Sequence, residues 1–410
     1  MSASPLKYAM VHEWLTPMAT GGSELVVEQI LQHIDADLFA LIDFESVNPD
    51  SYLYGRKIGS TFLQRLPGAK RGVQKYLPLL PLAIEQLDVR DYDVVLSSSH
   101  AVAKGVLTHA QQMHLCYCHA PMRYAWDLTQ DYLNASRVGR GLPGIITRHL
   151  LHQLRQWDAL SANRVDYFIA NSCTTARRIW RCYRRRSEVI YPPVNVQRFS
   201  RSPSQVPSQF PPKQFKNQDY YLTVTRLVSY KKVSLMVDAF TKLGRPFVVI
   251  GGGKALDKLR SQAGSSVILL GEQPDAVVED YMRNAKAFVY AAFEDFGIAP
   301  VEAQAAGIPV IALNAGGTSE TVRDIRRDPK GGTGIHFPGQ TIQALADAVV
   351  AFEEWEAKFS AEAIARHAQN FSHDAFALRY LNFLKWAWND WNRRDRQEFA
   401  PPDLSLPPRK

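Results

Sequence analysis

Cysteine is scarce in this chain: four occur in 410 residues, Cys116, Cys118, Cys173 and Cys182. None stands in Cys-x-x-Cys spacing, so neither a zinc site nor a disulfide framework is indicated. Cys116 and Cys118 alternate along a strand-like run and are expected to pack on one face. Long apolar runs are missing as well; none approaches the ~20 residues that a membrane span needs. Residues 1–10 are too short in their apolar part for a secretory signal and lack a cleavage-type site, so cytoplasmic synthesis and residence are expected. No solenoid-type repeat recurs. The Walker pattern and the Gly-x-Gly-x-x-Gly fingerprint are both absent, which leaves P-loop hydrolysis and dinucleotide binding unsupported.

What is present is a long chain with an uneven charge. Its length exceeds the usual size of one domain, so two domains with separate cores are expected. The formal charge is +8, from 48 Lys and Arg against 40 Asp and Glu. Residues 136–187 alone hold eleven arginines against Asp158 and Asp166, a surplus of nine that exceeds the surplus of the whole chain. Arg177, Arg178, Arg181, Arg184, Arg185 and Arg186 form a patch suited to anionic lipid headgroups, a diphosphate acceptor or nucleic acid. A merely solubilising basic face is the plainer alternative.

Strand-like runs alternate with helical patterns in two blocks, which predicts an α/β fold of doubly wound, Rossmann-like domains facing each other across a cleft. The first block has runs at 8–11, 93–96, 114–118, 167–170 and 189–191. The second has runs at 220–224, 246–250, 267–270, 287–292 and 310–313. Residues 200–216, rich in Pro, Ser and Gln, read as the linker between domains 1–199 and 217–375. Residues 376–398 carry Phe376, Tyr380, Phe383, Leu384 and Trp388 at helical spacing, a helix that packs on a domain or meets a membrane interface. The proline-rich tail 399–410 is expected to be disordered.

Four places carry chemistry. After the first strand, Gly21 and Gly22 precede a helix and let backbone approach a phosphate, although two glycines also serve ordinary turns. His119 ends the run 114–118, where it could contact sugar hydroxyls or be a satisfied structural histidine; His12 and His100 follow strands in the same block. Arg226, Lys231 and Lys232 precede a helix with apolar face Val233, Met236, Val237, Phe240 and Leu243. Lysines at a helix start oppose its dipole by roughly 0.3–1 kcal/mol each, a conflict that a bound diphosphate would remove. Glu294 and Glu302 flank the corner Phe296-Gly297-Ile298-Ala299, where a helix from Pro300 to Ala306 is expected after the strand. Glu294 falls beyond a strand's carboxyl end and Glu302 in the helix's first turn, the edge where open parallel sheets bind ligands. Free N–H groups there suit an anion and two carboxylates suit hydroxyls. Ordinary helix-start chemistry for Glu302 and a solvated loop acid at Glu294 are the alternative.

Taken together, Gly21-Gly22, His119, Arg226 with Lys231, and Glu294-x7-Glu302 followed by Ala315-Gly316-Gly317-Thr318-Ser319-Glu320 resemble family 4 of the retaining glycosyltransferases, with the GT-B fold. The resemblance runs from Val11 to about Phe383. Ser97 to Gly105, Cys118 to Asp127 and Glu294 to Gly307 look like the WbaZ-type branch, which contains mannosyltransferases of O-antigen and exopolysaccharide assembly. Ala120 stands where many relatives have threonine. The resemblance implies that Glu294 grips the donor sugar and Glu302 the nucleotide ribose. Arg226 and Lys231 would neutralise the diphosphate, with backbone amides around Gly22 and at Gly297 to Ala299. His119 would lie at the sugar, and Gln273 in the base-binding loop.

The implied reaction is metal-independent, cofactor-free transfer of a hexose, mannose from GDP-mannose foremost, onto a lipid-linked glycan. The enzyme would sit peripherally on the inner face of the cytoplasmic membrane, bound to its anionic surface and not to nucleic acid. A UDP- or ADP-sugar donor is an alternative, as are a nucleotide-sugar epimerase and a non-catalytic binding protein. No carboxylate nucleophile is apparent in the sequence, which favours front-face transfer.

Overall fold

The computed structural model describes residues 5–17, 21–135, 141–199, 215 and 219–398. The linker expected at 200–216 and the tail at 399–410 fall outside these, save Phe215. Contacts divide the chain into two compact units: 1–170, 178–190 and 377–410 form the first, and 171–177 with 191–376 the second. The passage between units thus falls at 190/191, ahead of the proline-rich stretch.

The first unit is a parallel sheet of seven strands: β1 (Tyr8–His12), β2 (Ala36–Ala40), β3 (Ile58–Gly59), β4 (Val94–Ser99), β5 (Met113–Cys118), β6 (Tyr167–Ala170) and β7 (Ser187–Val189). They lie in the order β3-β2-β1-β4-β5-β6-β7. β1 pairs with both β2 and β4, Tyr8 facing Ala36 on one side and Val94 on the other. Strand order reverses between β1 and β4, so crossovers leave in opposite directions and open a crevice at the carboxyl edge. β4 and β5 are buried throughout, as central parallel strands covered on both faces must be. Cys116 and Cys118 are both buried there.

The second unit has β8 (Tyr221–Val224), β9 (Phe247–Ile250), β10 (Val267–Gly271), β11 (Ala287–Tyr290), β12 (Val310–Leu313) and β13 (Gly334–Phe337), all parallel, in the order β10-β9-β8-β11-β12-β13. Its switch point lies between β8 and β11. Side chains alternate between two cores: Leu222, Val248, Ile250, Phe288 and Val310 enter one, and Tyr221, Phe247, Val249, Val289 and Ile311 the other. The helix Val233–Leu243 covers the second core with Val233, Met236, Val237 and Phe240, and Phe240 stacks on Phe247 at 4.2 Å.

The last helix, His373–Glu398, buries Phe376, Tyr380, Leu384 and Ala387. From Ala377 onward it belongs to the first unit, where the Tyr167 hydroxyl donates to Asp390 at 2.9 Å and the Tyr167 and Trp386 rings meet edge-on at 5.7 Å. Among the described residues no helix is long and apolar enough to cross a membrane.

Candidate functional site

The switch point of the second unit gathers most of the expected residues. Arg226 follows β8 on an exposed loop. Gly251 abuts that loop: a Cβ there would lie 1.8 Å from the Thr225 carbonyl oxygen, so only glycine lets the two segments approach. Lys231 closes a short 3-10 turn, and Lys232 caps the helix Val233–Leu243 in a left-handed conformation, φ 55°. Neither lysine lies inside the helix. The conflict with the dipole expected from the sequence is therefore weaker than two helical lysines would give, and left-handed strain at Lys232 stands in its place.

Glu294 follows β11 and meets Lys231 directly. The Lys231 ammonium pairs with the Glu294 carboxylate, the Tyr290 hydroxyl donates to the same carboxylate, and Lys231 Nζ donates to Tyr290 Oη at 3.0 Å. Burial, with the Glu294 charge behind it, pushes the Tyr290 phenol well above its ordinary range, so it stays a donor. The cation and the carboxylate, expected to meet different parts of a ligand, thus share one cluster. Tyr290 was not among the sequence candidates; its signal is a tyrosine ending a buried strand four residues before the acid. The Glu294 loop is held from behind by Gly316 and Gly317. A Cβ on Gly316 would sit 2.2 Å from the Glu294 carbonyl oxygen and one on Gly317 2.1 Å from that of Phe296.

The helix after this corner runs Ile298–Ala305, two residues earlier than expected. Pro300 is its third residue, where a missing N–H costs nothing because first-turn N–H groups have no helical acceptor. Glu302 is consequently the fifth residue, beyond the first turn, and the helix-start explanation of it falls. Its carboxyl is pushed up to about 7 by burial, against the pull of the Arg198 charge and with a further push from Asp275. Gly297 (φ 89°) opens the helix, and the N–H groups of Gly297, Ile298 and Ala299 donate to no backbone acceptor among the described residues. Phe296 differs from expectation. It is 4% exposed and packs against Tyr191 and Phe371, so its side chain belongs to the core and only its backbone borders the corner. Gln273 follows β10, but its side chain donates to its own strand at Leu270 O, 2.9 Å, leaving main-chain groups for recognition. Glu320 accepts from Cys173 N at 2.8 Å and Thr174 N at 3.1 Å, satisfying a helix start.

In the first unit His12, His100 and His119 stand at the carboxyl ends of the adjacent strands β1, β4 and β5. The rings of His100 lie 6.2 Å from His12 and 6.3 Å from His119. His119 shares a 2.8 Å hydrogen bond with Ser98 Oγ. Burial, and then the nearby His100 and His12, hold its pKa well below the ordinary range, so the ring is neutral. Gly21 and Gly22 open the helix Gly22–Leu31, whose first turn carries Glu24. Burial pushes the Glu24 carboxyl up, but His12 and Ser23 outweigh it and hold it down at about 2. An anion at Gly21-Gly22 would therefore share the helix start with a carboxylate.

Sequence reasoning also missed the support beneath this edge. The fully buried Glu13 carboxylate accepts from His100 N at 3.0 Å, Ala101 N at 2.7 Å, Val102 N at 3.0 Å and Ala103 N at 3.1 Å, and from Ser99 Oγ at 3.2 Å. Burial pushes its pKa up, but the neighbouring His100 and the N–H groups of Val102, Ala103 and Ala101 outweigh it and hold it below the ordinary value. The basic patch is smaller than composition suggests. Arg178 pairs with Asp127 and Arg185 is tied to three main-chain carbonyls, leaving Arg177, Arg181, Arg184 and Arg186 exposed.

Comparison with known proteins gives this geometry a context. Residues 206–370 match the family model of Glycosyl transferases group 1. The D-inositol 3-phosphate glycosyltransferase of Rhodococcus jostii is 33% identical over 153 residues, 36% of this chain and 32% of that relative. The GDP-mannose-dependent alpha-(1-6)-phosphatidylinositol monomannoside mannosyltransferase of Mycobacterium tuberculosis is 29% identical over 184 residues, 40% of this chain and 45% of that one. The match with these curated relatives thus spans less than half of their length. The crystal structure of Anabaena Alr3699/HepE in complex with UDP-glucose aligns with TM-score 0.64 and 18% identity, covering 92% of this chain and 99% of that one. The fold is accordingly that of the GT-B glycosyltransferases, with two Rossmann-like domains.

Proposed function

We propose that this chain, whose residues 206–370 match the family model of Glycosyl transferases group 1, is a retaining hexosyltransferase that moves mannose from GDP-mannose onto a lipid-linked glycan of a surface polysaccharide. The WbaZ-type branch is part of that reading, as is a place on the inner face of the cytoplasmic membrane. The observation that carries it is the clustering of Lys231, Tyr290 and Glu294 at the switch point, one corner away from the N–H groups of Gly297 to Ala299, which have no backbone acceptor among the described residues. Mannosyltransferase activity with GDP-mannose in the M. tuberculosis relative supports this donor; the UDP-glucose complex of the Anabaena protein keeps a UDP-sugar as the alternative.

In this account Glu294 accepts hydrogen bonds from the sugar and Glu302 from the ribose. The acceptor hydroxyl oxygen forms the new bond to the anomeric carbon, the bond from that carbon to the phosphate oxygen breaks, and the hydroxyl proton passes to the departing diphosphate. Arg226, Lys231 and the N–H groups of the corner stabilise the charge that develops there, with no metal called for. Neutral His119, at the carboxyl edge of the first unit, is suited to hydrogen-bond a hydroxyl. Slow hydrolysis of a panel of GDP-, UDP- and ADP-sugars is the test. Release of mannose from GDP-mannose above the rate of the others is expected. Hydrolysis of none, or epimerised product without transfer, would contradict the proposal.

A further inference from the structure

The helix Gly141–Ser161 in the first unit is unusual in what it leaves uncovered. Its inward face buries Gly144, Leu151, Leu154 and Asp158. Its outward face carries Leu142 (69% exposed), Ile145 (66%), Ile146 (54%) and Leu150 (37%). These recur at i, i+3, i+4 and i+8, one continuous stripe along the first half of the helix, and Leu160, exposed as well, returns to the same side five turns after Leu142. Isolated exposed leucines need no explanation, but a contiguous row of large aliphatic side chains does.

The charge around the stripe selects its partner. From Gly141 to Trp157 the helix has no Asp or Glu, whereas Arg148, His149 and His152 are exposed among the apolar residues; Arg155 is half-buried and donates to the Ala125 carbonyl at 2.8 Å. Asp158, the first acid, is buried and accepts from Trp126 Nε1 at 2.7 Å and Tyr183 Oη at 2.8 Å, so it adds no outward negative charge. The Tyr183 bond ties this helix to the segment that bears the exposed Arg181, Arg184 and Arg186. Docking of a second copy through this face would bring cationic rims together. An anionic lipid surface meets both features: the stripe enters the acyl boundary while the cations stay at the headgroups.

We propose that the exposed face of Gly141–Ser161 is a membrane-docking surface that inserts Leu142, Ile145, Ile146 and Leu150 into an anionic bilayer. It rests on the proposed function only in that a lipid-linked acceptor requires such docking. The test is sedimentation of the full chain with vesicles of equal phosphatidylglycerol and phosphatidylcholine, without donor or acceptor. The double variant I145S/I146S should bind roughly tenfold more weakly. L378S, a change at an aliphatic residue 64% exposed on another helix, should bind like the parent. Because all these side chains are exposed, each variant should retain the parent's circular dichroism and melting temperature. Unchanged binding by I145S/I146S would overturn the proposal, and so would conversion of a parental dimer to a monomer by that variant, since the stripe would then join two copies. Vesicle binding lost in I145S/I146S while no sugar is hydrolysed would sink the proposed function alone. Transfer to a vesicle-borne acceptor without lipid binding would sink this inference alone.

Discussion

Glu294 and Glu302 stand eight positions apart and differ in electrostatic setting. Glu294 has a cation and a phenol as partners, whereas Glu302 faces burial with Arg198 only as a nearby charge, and its carboxyl titrates at about 7. A folded-state pKa above the unfolded carboxylate value of about 4.5 favours the protonated form in the folded chain. The contribution to stability is therefore full below pH ~4.5 and is lost as pH rises to ~7, by about 3 kcal/mol at most. A ribose hydroxyl that donates to the carboxylate draws the proton off, so GDP affinity should rise about tenfold from pH 6 to pH 8. Calorimetric titration across that range checks it; E302Q should lose this part of the slope, and an unchanged slope in E302Q would deny Glu302 the role.

The same contrast operates between elements. The corner 294–302 is positioned by Gly316 and Gly317 behind it, and the first unit's edge by Glu13 beneath the loop 99–103. Glu13 is a buried anion whose acceptors are matched by main-chain donors, so replacing it with a group that carries its own N–H sets donor against donor. E13Q should lower stability by about 2–4 kcal/mol in chemical unfolding of the full chain. A change within experimental scatter would mean that those N–H groups find other acceptors. None of this support was legible in the sequence, because a carboxylate's main-chain partners lie 87 to 90 residues away and leave no local pattern. Strands dense in β-branched and aromatic residues, such as β9 and β11, were legible. The segment Ala-Asp-Leu-Phe-Ala of β2 was not, having no β-branched residue and an exposed Asp37. Gly334–Phe337 did not stand out because Ile335 is its one β-branched residue and it opens on a glycine just after Gly331 and Gly332. Nor was the pairing of Lys231 with Glu294 legible, since a sequence does not say which side chains beyond the ends of β8 and β11 meet.

At the scale of the molecule, each unit has its own parallel sheet and switch point, and the carboxyl edge of each collects the residues singled out from the sequence. The motif Glu294-x7-Glu302 pointed to the second of these edges because its meaning is local: a strand end, a corner and a helix. On the proposed function this corner holds a nucleotide sugar, with the two carboxylates dividing sugar from nucleotide. Calorimetric titration of the full chain with GDP and with GDP-mannose tests it most directly. E302Q should weaken both ligands alike. E294Q should bind GDP no more weakly than the parent, since it releases Lys231 to the diphosphate, yet lose the additional affinity for GDP-mannose and the transfer activity. If E294Q instead weakened GDP while E302Q affected only the sugar-bearing ligand, the assignment of the two carboxylates would be contradicted.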